Sequence, residues 1–218
     1  ASASVAGGPA ELSEGPFQAA ALTAHMPSRS ELKNMRVVAF DAKDPQTRVF
    51  DLLRNALLSA VDVGASRVFA VTQPSHGCGV STLAINLAFS IARKRQWQVV
   101  VATLEAASTL DRLGLRSSSL KSCDVEGVAT DGLEVDGSSV YLSDLDSLVG
   151  EDSKLSVARL TLQRDWIERV GRKSTPTILI LDLPPLLMSD DAASMVSVAD
   201  WALLVAAMGA STTADVES

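Results

Sequence analysis

Residues Pro74 to Thr82 read P-S-H-G-C-G-V-S-T. Glycines and hydroxyls at this spacing are what a chain needs to wrap a phosphate. Backbone N–H groups converge on the anion, the N-terminus of the following helix adds partial positive charge, and a hydroxyl reaches Mg²⁺. Ser75, His76, Gly77, Cys78, Gly79, Val80, Ser81 and Thr82 are therefore the candidate nucleotide-binding residues, with Ser81 as a candidate metal ligand. One position departs from the pattern. In the intact loop, G-x-x-x-x-G-K-[ST], a lysine grips the phosphates, and Val80 stands in its place.

No substitute charge lies nearby. Lys and Arg are absent from Val68 to Ala92, His76 is the local base, and the run Arg93-Lys94-Arg95 falls about 20 Å down the following helix at roughly 1.5 Å per residue. A charge-assisted hydrogen bond contributes about 1.5–3 kcal/mol. Its loss is expected to weaken binding of ATP or ADP with Mg²⁺ by roughly one to two powers of ten. Phosphoryl transfer is expected to suffer more, because stabilising charge that develops in the transition state is most of what such enzymes contribute.

A second candidate is Asp182, which follows the apolar run Thr177 to Leu181 and precedes Leu183-Pro184-Pro185. That placement aims a carboxylate at the carboxyl end of a sheet, where ligands sit in open α/β folds. An isolated Asp there commonly does no more than cap a strand end. With the loop upstream it becomes the candidate partner of Ser81 at Mg²⁺, and the catalytic candidate if the chain is active.

These residues need a scaffold, and the chain's apolar patterning supplies one. Arg67–Thr72 leads into the loop as a strand and Ser81–Arg93 leads out as a helix. Before them, Val37–Phe40 is a short strand candidate. Asp44-Pro45 opens a helix over 46–61 with Leu52, Leu53, Ala56, Leu57 and Ala60 on its core face. Gln98–Thr103 is a continuous apolar run suited to a strand buried on both faces. Residues 106–137 are polar and carry no assignment, and Ser139–Leu142 is the next strand. A helix over 154–170 follows, then two further buried strands, 177–181 and 201–206. The expected fold is α/β: a doubly wound, mostly parallel sheet flanked by helices, of the phosphate-loop NTPase type.

The 218 residues, 47% hydrophobic, suit one domain over 33–218, possible truncation at the C-terminus included, behind a flexible N-terminal tail over 1–32 that is rich in Ala, Ser, Gly and Pro. No apolar stretch is long enough to span a bilayer, and no basic segment precedes an apolar core as in a secretion signal. Two cysteines and two histidines give neither a disulfide framework nor a zinc spacing. A net charge of −7 argues against a nucleic-acid surface.

From Val38 to Ala210 the chain resembles the cytoplasmic domain of bacterial tyrosine kinases of capsule and exopolysaccharide biosynthesis, in the partition-ATPase-like branch of phosphate-loop proteins. The resemblance is carried by Asp44-Pro45 with Leu52-Leu53-Arg54-Asn55, by V-T-Q-P-S-H-G-C-G-V-S-T-L-A-I-N-L-A, by Asp182-Leu-Pro-Pro-Leu-Leu-Met-Ser-Asp-Asp-Ala192 and by Val198–Ala206. It implies a cytoplasmic protein, peripheral at the inner membrane through the cytoplasmic part of a membrane polysaccharide co-polymerase or export protein, with a homo-oligomer as a possible assembly.

The departures fall on charge. Val80 replaces lysine, and the family's Asp-x-Asp appears as Thr103-Leu104-Glu105. Arg48, Asp51 and Arg54 exchange the first two charges of the E-x-x-R-x-x-R pattern on the family's oligomer-forming helix, and a single tyrosine, Tyr141, stands against its C-terminal tyrosine cluster. The leading expectation is a degenerate, non-catalytic binding protein. The alternatives are an active ATP-dependent tyrosine kinase or ATPase completed in trans by a partner's cation, with Arg48, Arg54, Arg93 and Lys94 as conceivable donors, and a partition or positioning ATPase.

Overall fold

The computed structural model describes residues 27–62, 65–104, 121–126, 128–145, 156–172, 175–208, 211, 212 and 214. Within them a seven-stranded sheet runs in the order β3-β4-β5-β2-β6-β1-β7. Its strands are β1 (Arg67–Thr72), β2 (Gln98–Thr103), β3 (Lys121–Val125), β4 (Val128–Val135), β5 (Ser138–Asp144), β6 (Thr177–Asp182) and β7 (Trp201–Leu204). β5, β2, β6, β1 and β7 are mutually parallel, while β3 and β4 are antiparallel additions at one edge. The helices are α1 (Arg29–Asn34), α2 (Thr47–Leu58), α3 (Val80–Ala92), α4 (Ser156–Gly171) and α5 (Asp190–Val196), with a 3₁₀ turn at Leu186–Met188.

Period-two alternation along the central strands sorts their side chains into two cores. Phe69, Val71, Val99, Val101, Ile178 and Ile180 face α3, which contributes Ala84, Ile85, Leu87, Ala88, Phe89 and Ile91. Val68, Ala70, Val100, Ala102, Leu179 and Leu181 face the other way, against Trp166, Ile167 and Val170 of α4 and Ala192 and Met195 of α5. Both faces of the sheet are thus covered, as a doubly wound fold requires.

Several expectations need correction. Val37–Phe40 is buried but forms turns, not a strand. The Asn86 side chain accepts from the Val38 and Ala39 N–H groups at 2.8 and 3.0 Å, so these donors are satisfied without a neighbouring strand. A four-residue apolar run looks the same in either setting. α1 begins four residues before the expected domain start at 33, with Ser28 closing a capping box on Glu31 and Leu32 fully buried. On α2 the inward face is Phe50, Leu53, Leu57 and Leu58 with Arg54 buried among them, whereas Leu52, Ala56 and Ala60 are exposed. The unassigned stretch contains β3 and β4, whose polar residues suit a peripheral antiparallel ribbon. β7 is an edge strand with alternate residues exposed, not a buried one.

Candidate functional site

β1 delivers the chain to the loop at Thr72, and the loop hands over to α3 at Val80. Gly77 and Gly79 have φ of 93° and 85°, the left-handed region that residues with a Cβ avoid, and this is the reason for glycine at both positions. The Gly79 carbonyl accepts the first helical bond, from the Leu83 N–H at 2.9 Å. A Cβ placed on either glycine would meet nothing within 4 Å, so the loop's outer surface is open.

His76, Gly77 and Gly79 are exposed, and Ser75, Cys78, Ser81 and Thr82 are half-buried. Val80 is different. It is 3% exposed and belongs to the α3-side core, so an apolar side chain anchors the loop where the motif calls for a cation.

Asp182 is the last residue of β6 and shares the parity of Ile178 and Ile180, hence the α3 face of the sheet. It pairs in register with Val71 on β1 and Thr103 on β2, and is 5% exposed. Three bonds tie the chain beyond it to the root of the loop. The Leu183 N–H donates to the Val71 carbonyl at 3.0 Å, the Thr72 hydroxyl to the Pro184 carbonyl at 2.8 Å, and the Leu186 N–H to the Gln73 carbonyl at 2.9 Å. The structure therefore brings the loop and Asp182 to one end of neighbouring strands, as the sequence implies. Glu105 lies outside the described residues.

The conceivable cationic donors divide. Arg54 is buried on α2, and its guanidinium donates to Asp51 at 2.8 Å and to the Ser90 carbonyl at 3.0 Å. Arg93 donates to the same Asp51 oxygen. Both are committed inside the chain. Burial lowers the Arg54 pKa, with the Arg93 charge adding to that effect and Asp51 opposing it. For Asp51, burial would raise the carboxyl, but hydrogen bonds from Ser90 and Arg93 and the nearby guanidinium charges outweigh it and hold it below its ordinary value.

Two residues at the site are not evident from the motif. The Gln73 carboxamide oxygen accepts from the Cys78 N–H at 2.8 Å, and Gln73 is 8% exposed. The Cys78 thiol lies 3.5 Å from the Ser211 hydroxyl, which itself accepts from the Ala207 N–H at 3.1 Å, so the segment after β7 touches the loop. A polar residue directly after an apolar strand is the one signal that could have flagged Gln73.

The loop's shape fits a nucleotide's phosphates through its open surface and paired left-handed glycines, while its charge does not. Among the described residues no group of three or more His, Cys, Asp or Glu side chains is arranged to hold a metal ion, and no helix is long and apolar enough to cross a membrane.

No protein-family model matches the sequence, and no curated protein matches it significantly. Solved structures do match. The chain is similar to the kinase domain of VpsO, with a TM-score of 0.60, 17% identity, and coverage of 87% of this chain and 89% of that one. It is also similar to the kinase domain of the Escherichia coli tyrosine kinase ETK, with a TM-score of 0.65, 16% identity, and coverage of 90% and 81%. The BceF tyrosine kinase domain gives 0.55, 19% identity, and coverage of 90% and 85%. The fold is thus the phosphate-loop fold of bacterial tyrosine-kinase domains.

Proposed function

We propose that this chain is a degenerate member of that structural class, a nucleotide cradle without its cation. It acts in bacterial exopolysaccharide or capsule biosynthesis or export as a non-catalytic partner, at the inner membrane, of the cytoplasmic part of a chain-length or export protein. The observation that carries the reading is Val80, 3% exposed in the α3-side core, within a loop whose glycines keep their left-handed geometry. The backbone that wraps a phosphate is retained and the charge that holds it is gone. The shared fold and the Asp182-Leu-Pro-Pro segment support the polysaccharide setting. The ion pairs that buried Arg54 and half-buried Arg93 make with Asp51 count against cations supplied by those two residues of a second copy.

Calorimetric titration of Mg-ATP and Mg-ADP tests the nucleotide arm. The unmodified chain is expected to bind at least about tenfold more weakly than Val80→Lys. Micromolar affinity in the unmodified chain, or ATP hydrolysis abolished by Asp182→Ala, would overturn the non-catalytic reading. It would favour an enzyme completed by a partner's cation, with Ser81 and Asp182 at Mg²⁺. Titration with the purified cytoplasmic region of a polysaccharide co-polymerase tests the partner arm, which fails if no complex forms.

A further inference from the structure

The lysine is one missing determinant of phosphate affinity, and the loop carries another that acts in the opposite direction. The Cys78 N–H sits between two left-handed glycines, the arrangement in which successive amide hydrogens converge on a common concave side and receive an anion. The Gln73 carboxamide oxygen already takes that N–H at 2.8 Å. Among the described residues the Gly77 and Gly79 N–H groups have no such internal acceptor. Gln73 is itself fixed at both ends. Its carbonyl accepts from the Leu186 N–H, and the preceding Thr72 donates to Pro184, so the side chain issues from a strand end clamped to the Asp182 segment.

We propose that Gln73 is an internal latch, its amide oxygen occupying the backbone donor that a phosphoryl oxygen needs, so that Gln73 and Val80 jointly set the loop's affinity for diphosphate-type anions. The inference rests on reading residues 74–82 as a phosphate loop. A carboxamide oxygen is a neutral acceptor, weaker than a phosphate oxygen. With a cation present the anion displaces it, and without one the latch holds. A loop with a latch and no lysine lacks both the charge and one of the backbone donors that the ligand it is shaped for would use.

The test is a set of titrations of pyrophosphate, with and without Mg²⁺, into the full chain and its Gln73→Ala, Val80→Lys and doubly substituted forms. Gln73→Glu is the isosteric companion. Freeing the donor is expected to tighten binding in the Val80→Lys background by roughly three- to tenfold, the worth of one ordinary hydrogen bond. Gln73→Glu is expected to weaken it, since a carboxylate holds the N–H more firmly and repels the anion. The Cys78 amide resonance is expected to shift on Gln73→Ala and to shift again as pyrophosphate is added. If Val80→Lys binds and Gln73→Ala leaves its affinity unchanged or lowers it, the latch is overturned while the phosphate-loop reading stands. If no variant binds, both fall.

Discussion

Asp51 and Arg54, one helical turn apart on α2, are joined at 2.8 Å, and the same Asp51 oxygen also accepts from the Ser90 hydroxyl at 2.6 Å and from the guanidinium of Arg93, the residue that caps α3. One carboxylate therefore holds two arginines at the seam between the helices. Removing it leaves two like charges close together, one of them buried. Asp51→Ala is expected to destabilise the fold by about 2–3 kcal/mol, discounted from the cost of breaking a fully buried pair because Asp51 is partly exposed. The midpoint of urea unfolding reads this. A change under about 0.5 kcal/mol, the size of an ordinary surface substitution, would contradict it.

The same cluster sets a pH dependence. The folded Asp51 carboxyl is held below its ordinary value, so its contribution is complete above the unfolded carboxylate pKa of about 3.9 and is lost as pH falls through the lower folded value. Stability of the unmodified chain should fall on acidification below about pH 4 more steeply than that of Asp51→Asn. Thermal melts of both between pH 3 and 7 decide it, and parallel curves would remove Asp51 from the acid response.

Asn86 is fully buried and bonds four backbone groups, accepting from Val38 and Ala39 and donating to the Arg36 and Thr82 carbonyls at 2.9 and 2.8 Å. Asn86→Ala strands these groups and is expected to cost about 2–4 kcal/mol. Amide hydrogen exchange should accelerate first at Val38 and Ala39. Unchanged protection there would show that the turn is held by its apolar packing alone.

Gly79→Ala isolates backbone strain, because the added methyl meets open space while φ is 85°. The expected loss is about 1–2 kcal/mol, from the left-handed conformation alone. Gly77→Ala should behave alike, and a neutral result at both would mean that the loop can relax its φ without disturbing α3.

How much of this was legible depended on whether a residue's setting is local. β1 and β2 fall where Arg67–Thr72 and Gln98–Thr103 place them, because a continuous apolar run between loops has few uses other than a strand buried on both faces. The loop and Asp182 were legible for the same reason, each being defined by the strand end before it. Leu52 misled because α2 carries apolar residues on more than one side, and helical spacing alone does not say which side meets the sheet. β3 and β4 were hidden because their pairing is with each other and with β5, a relation between segments and not a property of either. Gln73 carried only the faint signal of a polar residue directly after an apolar strand, since its acceptor role depends on the curl of the loop five residues on.

Ten of the thirteen residues of α3 are buried, Val80 among them at its first position. A helix so enclosed has no room to slide or tilt without opening the core on that face of the sheet. The frame of the loop is consequently set when the protein folds and stays fixed afterwards. Any signal passing through this end of the molecule must travel in side chains and in the strand-end residues around 73, 184–186, 207 and 211, over a stationary floor.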